Sequence, residues 1–150
     1  MAALATIGVY GFSAETFIAA LRDADARLLL DVRQRRGVRG AEYAWANAGR
    51  VTALVAGAGI DYRHHLELAP TTELRRLQYL EDDRAGVGKR SRTELAGAYI
   101  ERYQREILDA HQHRRAGRRE RDPQACHRSL IAARMVAALP TLPLTHLVPS

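Results

Sequence analysis

The sequence has few of the features that mark secreted or membrane proteins. Cys126 is the one cysteine among 150 residues, so the chain cannot form an internal disulfide, and this fits a reducing compartment. No stretch approaches the roughly 18 apolar residues that a membrane-spanning helix needs. The first dozen residues also lack the basic start and long apolar run of a secretory signal. We therefore expect a soluble, cytoplasmic protein with no membrane partner.

Internal repeats and low-complexity linkers are also missing, so nothing in the sequence marks a boundary between domains. Hydrophobic residues make up 47% of the chain and charged residues 27%, a composition that can bury a core and that argues against wholesale disorder. We therefore expect residues 1–150 to form a single domain of ordinary size.

Acidic residues are fewer than basic ones, and the excess of positive charge is unevenly distributed. The chain has 23 Lys and Arg against 17 Asp and Glu, which gives a formal net charge of +6. Three short clusters, at residues 33–39, 89–92 and 114–121, together carry +11 and leave −5 for the rest of the chain. The sequence therefore describes basic loops on an acidic body and not a uniformly basic protein.

Strand-like and helix-like segments alternate along the chain. Apolar runs predict strands over residues 4–10, 28–33, 60–66 and 144–148. Apolar residues at helical spacing predict five helices. The first is capped by Ser13, the second spans residues 41–58 up to Gly59, the third is capped by Thr72, the fourth spans residues 93–110, and the fifth begins at Asp122. This alternation predicts an α/β fold, a single-domain three-layer sandwich around a mainly parallel central sheet of four to five strands.

The start of the last predicted helix carries reactive side chains. A helix N-terminus favours anions and lowers the pKa of a nearby thiol, so Cys126 is a candidate nucleophile. His127 is a candidate proton carrier, because histidine titrates near neutral pH. The alternative is an inert packing cysteine beside a partly exposed helical histidine, and the sequence leaves both interpretations open.

Arg128 lies on the apolar stripe of the same helix, three and four residues before Ile131 and Ala132. A guanidinium there needs a partner, and Asp31 at the end of the second strand is the natural candidate. Arg33, two residues further along, should reach the same edge of the sheet, which is where open α/β sheets bind ligands. The residues predict an anion site of Asp31, Arg33 and Arg128, or alternatively a structural Asp31–Arg128 ion pair.

Metal and cofactor motifs are weak. His64, His65 and Glu67 could bind a metal ion, but adjacent strand residues point to opposite faces, so a His65–Glu67 pair is the better prediction. The segment at residues 86–89 lacks the first glycine and the Ser or Thr of a phosphate-binding P-loop. We therefore expect neither a metal ion nor a cofactor.

Several short motifs carry a resemblance to a known family. They are Thr6-Ile7-Gly8, Leu30-Asp31-Val32-Arg33, Gly59-Ile60-Asp61-Tyr62 with His64-His65, and Glu120-Arg121-Asp122-Pro123 followed by Cys126-His127-Arg128-Ser129-Leu130-Ile131-Ala132. With these motifs the chain resembles, over most of its length, the bacterial family called domain of unknown function 488. The resemblance implies a small α/β domain and no established activity. The Asp-Val-Arg strand end is also similar to rhodanese-type sulfurtransferases, which hold their cysteine in a closing loop, whereas Cys126 is predicted within a helix.

One segment departs from that family pattern. The resemblance implies an apolar strand running into Cys-x-Glu before Asp122-Pro123, but residues 111–121 are rich in arginine and Arg118 stands in the place of the cysteine. Such a segment cannot be a buried strand. It is either an exposed loop or a local disturbance of the reading frame.

The function that we predict is binding of a small anionic ligand at the carboxyl edge of the strands. Whether the protein is also an enzyme, acting on a phosphate- or sulfur-containing substrate, is left open by the sequence. The alternative is a nucleic-acid-binding accessory protein that uses its basic loops. The candidate nucleic-acid contacts are Arg35, Arg36, Arg39, Lys89, Arg90 and Arg92.

Overall fold

The computed structural model describes residues 3–89, 91–111, 127–138 and 143–149. Its strands are β1 (Leu4–Ile7), β2 (Leu28–Asp31), β3 (Asp61–His64) and β4 (Leu144–Leu147). Its α-helices are α1 (Ala14–Asp23), α2 (Ala48–Gly57), α3 (Thr72–Ala85), α4 (Gly97–Tyr103) and α5 (His127–Ala138). The predicted α/β class is therefore correct.

The strands pair in parallel, but they form two small sheets. β1 pairs with β4, and β2 pairs with β3, each over four residues. The described residues thus do not form the predicted sandwich around one sheet of four to five strands. The apolar runs overstated the strands, because the run at residues 4–10 pairs only over Leu4–Ile7 before the chain turns at Gly11.

Local capping follows the sequence signals closely. The Ser13 hydroxyl accepts a hydrogen bond from the Thr16 amide, and the Thr16 side chain accepts one from the Ser13 amide, which confirms Ser13 as the cap of α1. α3 is capped by Thr71, one residue before the predicted Thr72. Gly59 has a φ of +74° just after α2, which fits its predicted role as a helix stop.

The predicted helix over residues 41–58 is divided in two. Residues Ala41–Ala46 form 3₁₀ turns, and α2 begins only after Asn47, whose backbone is extended. The Asn47 side-chain oxygen accepts a hydrogen bond from the Val38 amide at 2.7 Å. This bond holds the basic segment at residues 33–39 against the start of α2. The apolar periodicity of the sequence does not predict the bond.

The predicted helix over residues 93–110 begins later than expected. The Ala96 amide donates a hydrogen bond to the Gln78 side chain at 2.8 Å, and α4 starts at the next residue. The helical path then continues through a π-helical turn over Gln104–Leu108 and a 3₁₀ turn over Asp109–His111. The predicted apolar face is confirmed, because Tyr99, Tyr103 and Ile107 are all buried.

Two hydrophobic clusters fill the interior. The first lies beneath α1 and α2 and consists of Ile7, Phe12, Phe17, Ile18, Leu21, Leu29, Val51, Val55 and Ile60. The second joins α3, α4 and α5 and consists of Val32, Leu68, Leu74, Tyr99, Tyr103, Ile107, Leu108 and Ile131. Leu29 of β2 belongs to the first cluster, and Val32, just beyond β2, belongs to the second. The end of β2 is therefore the point where the two cores meet.

A buried ion pair fixes the loop between α3 and α4. Arg92 donates to the Asp82 carboxylate at 2.7 Å, and the other oxygen of that carboxylate accepts from Gln78 at 2.8 Å. Both charged side chains are 7% exposed. Because Gln78 also accepts a hydrogen bond from the Ala96 amide, this network attaches the loop to α3 at Arg92 and at Ala96.

No helix within the described ranges is long and apolar enough to cross a membrane.

We predict that Asp82→Asn destabilises the protein by about 3 kcal/mol, because it removes the counter-charge that Asp82 gives the buried Arg92. Chemical denaturation measures the loss. Glu81→Gln is the matched control, since Glu81 pairs with the exposed Arg84 and such surface pairs contribute about 0–1 kcal/mol. Equal losses in the two variants would contradict the structural role of the Asp82–Arg92 pair.

Candidate functional site

The carboxylate of Asp31, at the end of β2, is the centre of a buried polar network. Arg33 contacts it through Nε, at 2.8 and 3.0 Å from the two oxygens, and through Nη2 at 2.5 Å. The Tyr62 hydroxyl, on the neighbouring β3, donates to the same carboxylate at 2.7 Å. Asp31 is 3% exposed, so its charge depends on these partners. Burial of the Tyr62 phenol raises its pKa, and the hydrogen bond to Asp31 acts in the same direction.

Arg33 connects this network to the rest of the site. Its Nη1 donates to the Ala46 carbonyl at 2.8 Å, and its own carbonyl accepts from His64 at 2.8 Å. The contacts to Asp31 and to the Ala46 carbonyl engage all three nitrogen atoms of the Arg33 guanidinium. Arg33 is therefore held in one orientation by Asp31.

Arg128 is completely buried, together with Ile131 and Ala132 of the same helix. The helical projection that placed Arg128 on the apolar stripe of α5 is thus confirmed. Asp31 forms an ion pair with Arg33. β2 ends at Asp31, which lets the Arg33 side chain fold back onto the carboxylate two residues earlier.

His127 lies between the end of β2 and α4. Its Nε2 is 3.3 Å from the Val32 carbonyl, and its ring centroid is 5.7 Å from that of Tyr103. The pKa of His127 is lowered to about 4, mainly by burial, with a further contribution from the nearby positive charges of Arg128 and Lys89. His127 is therefore neutral at physiological pH.

A cleft of about 490 Å³ opens at the carboxyl ends of β1 and β2. Val9 and Tyr10 line it from beyond β1, and Arg33, Gln34 and Arg35 line it from beyond β2. The opposite wall comes from α3 and the loop after it. The remaining lining residues are Gly37, Val38, Arg39, Pro70, Arg75, Gln78, Tyr79, Lys89, Arg92, Leu95, Tyr99 and His127.

The described lining of this cleft includes five arginines and a lysine and no aspartate or glutamate. Two of these arginines are neutralised, because Arg33 pairs with Asp31 and Arg92 pairs with Asp82. Arg35, Arg39 and Arg75 form no ion pair with any residue in the described ranges. The cleft therefore has a positive potential that its own lining does not cancel.

The structure brings together residues that the sequence assigned to two separate functions. Arg33, from the predicted anion site, and His127, the candidate proton carrier, share the cleft with four predicted nucleic-acid contacts, namely Arg35, Arg39, Lys89 and Arg92. Arg92 is buried in its ion pair, whereas the other three are exposed. The two predicted functions therefore compete for one surface.

Among the described residues, the predicted nucleic-acid contact Arg36 and the predicted anion-site residues Asp31 and Arg128 are not part of the cleft lining. Arg36 is half-buried and lies 3.5 Å from the Tyr62 hydroxyl, outside the cleft lining. Cys126 and Arg90 lie outside the described residues, as do Asp122, which was predicted to open a helix, and all of the segment at residues 111–121 except His111.

His65 is 2.8 Å from the Glu67 carboxylate, so the predicted pairing of these two side chains is confirmed. Within the described ranges no group of three or more His, Cys, Asp or Glu side chains is placed to hold a metal ion.

The cleft residues that sequence reasoning missed include Gln34, Arg75 and Tyr79. Arg75 and Tyr79 are four residues apart on α3, a spacing that places them on one helix face. That spacing is a usable signal in the sequence, although the leucines of the same helix give a stronger one. Gln34 lies among the arginines at residues 33–39 and carries no charge that would mark it as a site residue.

The comparisons with known proteins define a family and no activity. The model of the family described as Domain of unknown function DUF488 matches residues 13–135, which is most of the chain. The chain belongs to the DUF488 family. Searches of curated proteins and of solved structures returned no significant match.

We predict that His127 makes the stability of the protein sensitive to acid. Because the folded pKa is about 4 and the ordinary value is 6.5, the unfolded chain binds the proton more tightly. The free energy of unfolding should therefore have its full value above pH 6.5 and should fall by up to about 3 kcal/mol as the pH drops to 4.

His127→Gln keeps a hydrogen-bond donor for the Val32 carbonyl but cannot acquire this charge. Urea denaturation at pH 7, 5.5 and 4 should show a shallower dependence on pH in the variant. A variant whose stability declines as steeply as that of the wild type would contradict the assignment.

Proposed function

We propose that the protein binds a small phosphate-bearing ligand in the cleft at the carboxyl ends of β1 and β2. The observation that carries this proposal is the lining of the cleft, in which six cationic side chains and no acidic ones are described. Its volume of about 490 Å³ lies in the range of small-molecule sites. A planar guanidinium matches a phosphate oxygen pair through two parallel hydrogen bonds, which favours arginine-lined clefts for such ligands.

Arg35, Arg39 and Arg75 are the residues best suited to contact the ligand. Arg33 is held by Asp31 and the Ala46 carbonyl, so it shapes the floor of the site and contributes little net charge. Arg128 is fully buried on α5 and adds positive potential from behind. We thus propose that the residues of the anion site predicted from the sequence, Asp31, Arg33 and Arg128, support the cleft. The contacts to the ligand come from Arg35, Arg39 and Arg75.

An enzymatic role would rest on His127 and Cys126. His127 lines the cleft and is neutral at physiological pH, so it can accept a proton. Its low pKa makes it a weak base in the empty site, since general bases work best with pKa values near the working pH. A phosphate dianion in the cleft would raise that pKa by its opposite charge. We therefore propose binding as the primary function and catalysis as dependent on the ligand.

The alternative function is nucleic-acid binding at the rim of the same cleft. It is favoured by the exposure of Arg35, Arg39 and Lys89, which lie on two loops that border one opening. The two functions differ in their dependence on salt. Binding to a polyanion weakens steeply because each neutralised phosphate releases counterions, whereas a small ligand in a cleft involves few such contacts.

We predict that Arg75→Gln lowers the affinity for inorganic phosphate at least tenfold, because a charge-assisted hydrogen bond is lost from the cleft wall. Isothermal titration calorimetry at low salt measures the change.

Arg76→Gln is the matched control. It removes the same charge from the neighbouring position of α3, where Arg76 is exposed and does not line the cleft. Equal effects of the two substitutions would show that binding reflects net charge alone. Undetectable phosphate binding by the wild type would overturn the proposal, and a steep salt dependence with DNA or RNA oligonucleotides would favour the alternative.

A further inference from the structure

The wall of the cleft that α3 provides differs from the rest, because it combines a cation with an exposed aromatic ring. Arg75 and Tyr79 are one helical turn apart, so their Cβ atoms are about 6 Å from each other. Both residues line the cleft. The Tyr79 residue is 41% exposed, which is unusual for a large hydrophobic residue beside a cavity and leaves area for a ligand to cover.

Polar atoms at the same end of the cleft have no partner among the described residues. The Nε of Arg75 and the Oε1 of Gln34 are both buried without a hydrogen bond. The two residues are neighbours through Thr72, whose hydroxyl is 3.4 Å from the Gln34 amide nitrogen and which lies one helical turn before Arg75. Buried polar groups are costly when unsatisfied, so this end of the cleft has the most to gain from a ligand.

The two unsatisfied atoms have opposite requirements. Arg75 Nε is a donor and needs an acceptor such as a phosphate oxygen, whereas Gln34 Oε1 is an acceptor and needs a hydroxyl or amino group. Both atoms are buried in the structure, so the two side chains would move towards a ligand in order to contact it. A bare phosphate dianion offers no donor. A ligand that satisfies both atoms therefore has a hydroxyl or amino group next to its phosphate.

We infer that the cleft selects a phosphate ester that carries a planar ring, of the nucleoside monophosphate class, with the phosphate at Arg75 and the ring stacked on Tyr79. This inference rests on the proposed binding of a phosphate-bearing ligand and specifies what the phosphate is attached to. The ring provides the stacking partner for Tyr79, and the sugar hydroxyls provide the donors for Gln34. Stacking of a nucleobase on an aromatic side chain is tolerant of base identity.

The test compares three kinds of probe on the full-length protein by calorimetry: inorganic phosphate, ribose 5-phosphate, and the four common nucleoside 5′-monophosphates. We expect at least one nucleoside monophosphate to bind about tenfold or more tightly than ribose 5-phosphate, because only the former can stack on Tyr79. Tyr79→Ala should abolish that difference while leaving the affinity for ribose 5-phosphate within about twofold. Tyr79→Phe should retain the difference, since it keeps the ring.

Leu80→Ala is the control for loss of an exposed apolar side chain from α3. Leu80 is 64% exposed and does not line the cleft, so this variant should bind all probes as the wild type does. Equal affinities for ribose 5-phosphate and every nucleoside monophosphate would overturn the ring inference while leaving phosphate binding intact. Failure of all three kinds of probe to bind would overturn the proposed function itself, so the two failures are distinguishable. Thermal denaturation of each variant checks that the fold is retained, and an unfolded Tyr79→Ala variant would leave the comparison of probes on the wild type and on Tyr79→Phe as the deciding result.

Discussion

The arrangement of the site depends on one buried negative charge, the carboxylate of Asp31. It stands at the end of β2, where the two hydrophobic clusters meet, and it is 3% exposed. An isolated carboxylate there would be strongly disfavoured, so the surrounding chain must supply partners. Arg33 folds back onto it, Tyr62 reaches it from β3, and Arg33 in turn holds the Ala46 carbonyl. One charge thereby ties together β2, β3 and the segment that precedes α2.

The same principle separates structural cations from available ones. Arg33 and Arg92 are both nearly buried, and each is paired with a buried aspartate. These pairs fix the two walls of the cleft: one the segment that follows β2, the other the loop between α3 and α4. With the walls held by neutralised arginines, Arg35, Arg39 and Arg75 keep their charge for whatever enters. A cleft that used the same arginines for support and for binding would lose its shape when the ligand left.

Sequence patterns predicted the elements that depend on local chemistry. The Ser13 cap, the buried face of Tyr99, Tyr103 and Ile107, and the burial of Arg128 all follow from spacing along one helix. The two misplaced helix boundaries have a different cause, because each depends on a hydrogen bond between distant segments. Asn47 interrupts a helix by bonding Val38, and Gln78 delays α4 by bonding Ala96. Periodicity cannot encode such bonds, which exist only once the segments have met.

Two further features, the pairing of Asp31 with Arg33 and the composition of the cleft, depend on how the chain folds and were not predicted from the sequence. Two arginines were chemically suited to that carboxylate, and the sequence did not show that the end of β2 at Asp31 lets Arg33 fold back onto it. The basic clusters at residues 33–39 and 89–92 were visible in the sequence, but their convergence on one opening was not.

His127 lines the cleft on which these basic clusters converge. Its pKa is lowered to about 4 by burial and by the positive charges of Arg128 and Lys89. A bound dianion would oppose those charges and draw the pKa back towards neutrality. If the cleft binds such a dianion, the pKa of the imidazole therefore rises, and ligand binding and protonation of His127 favour each other.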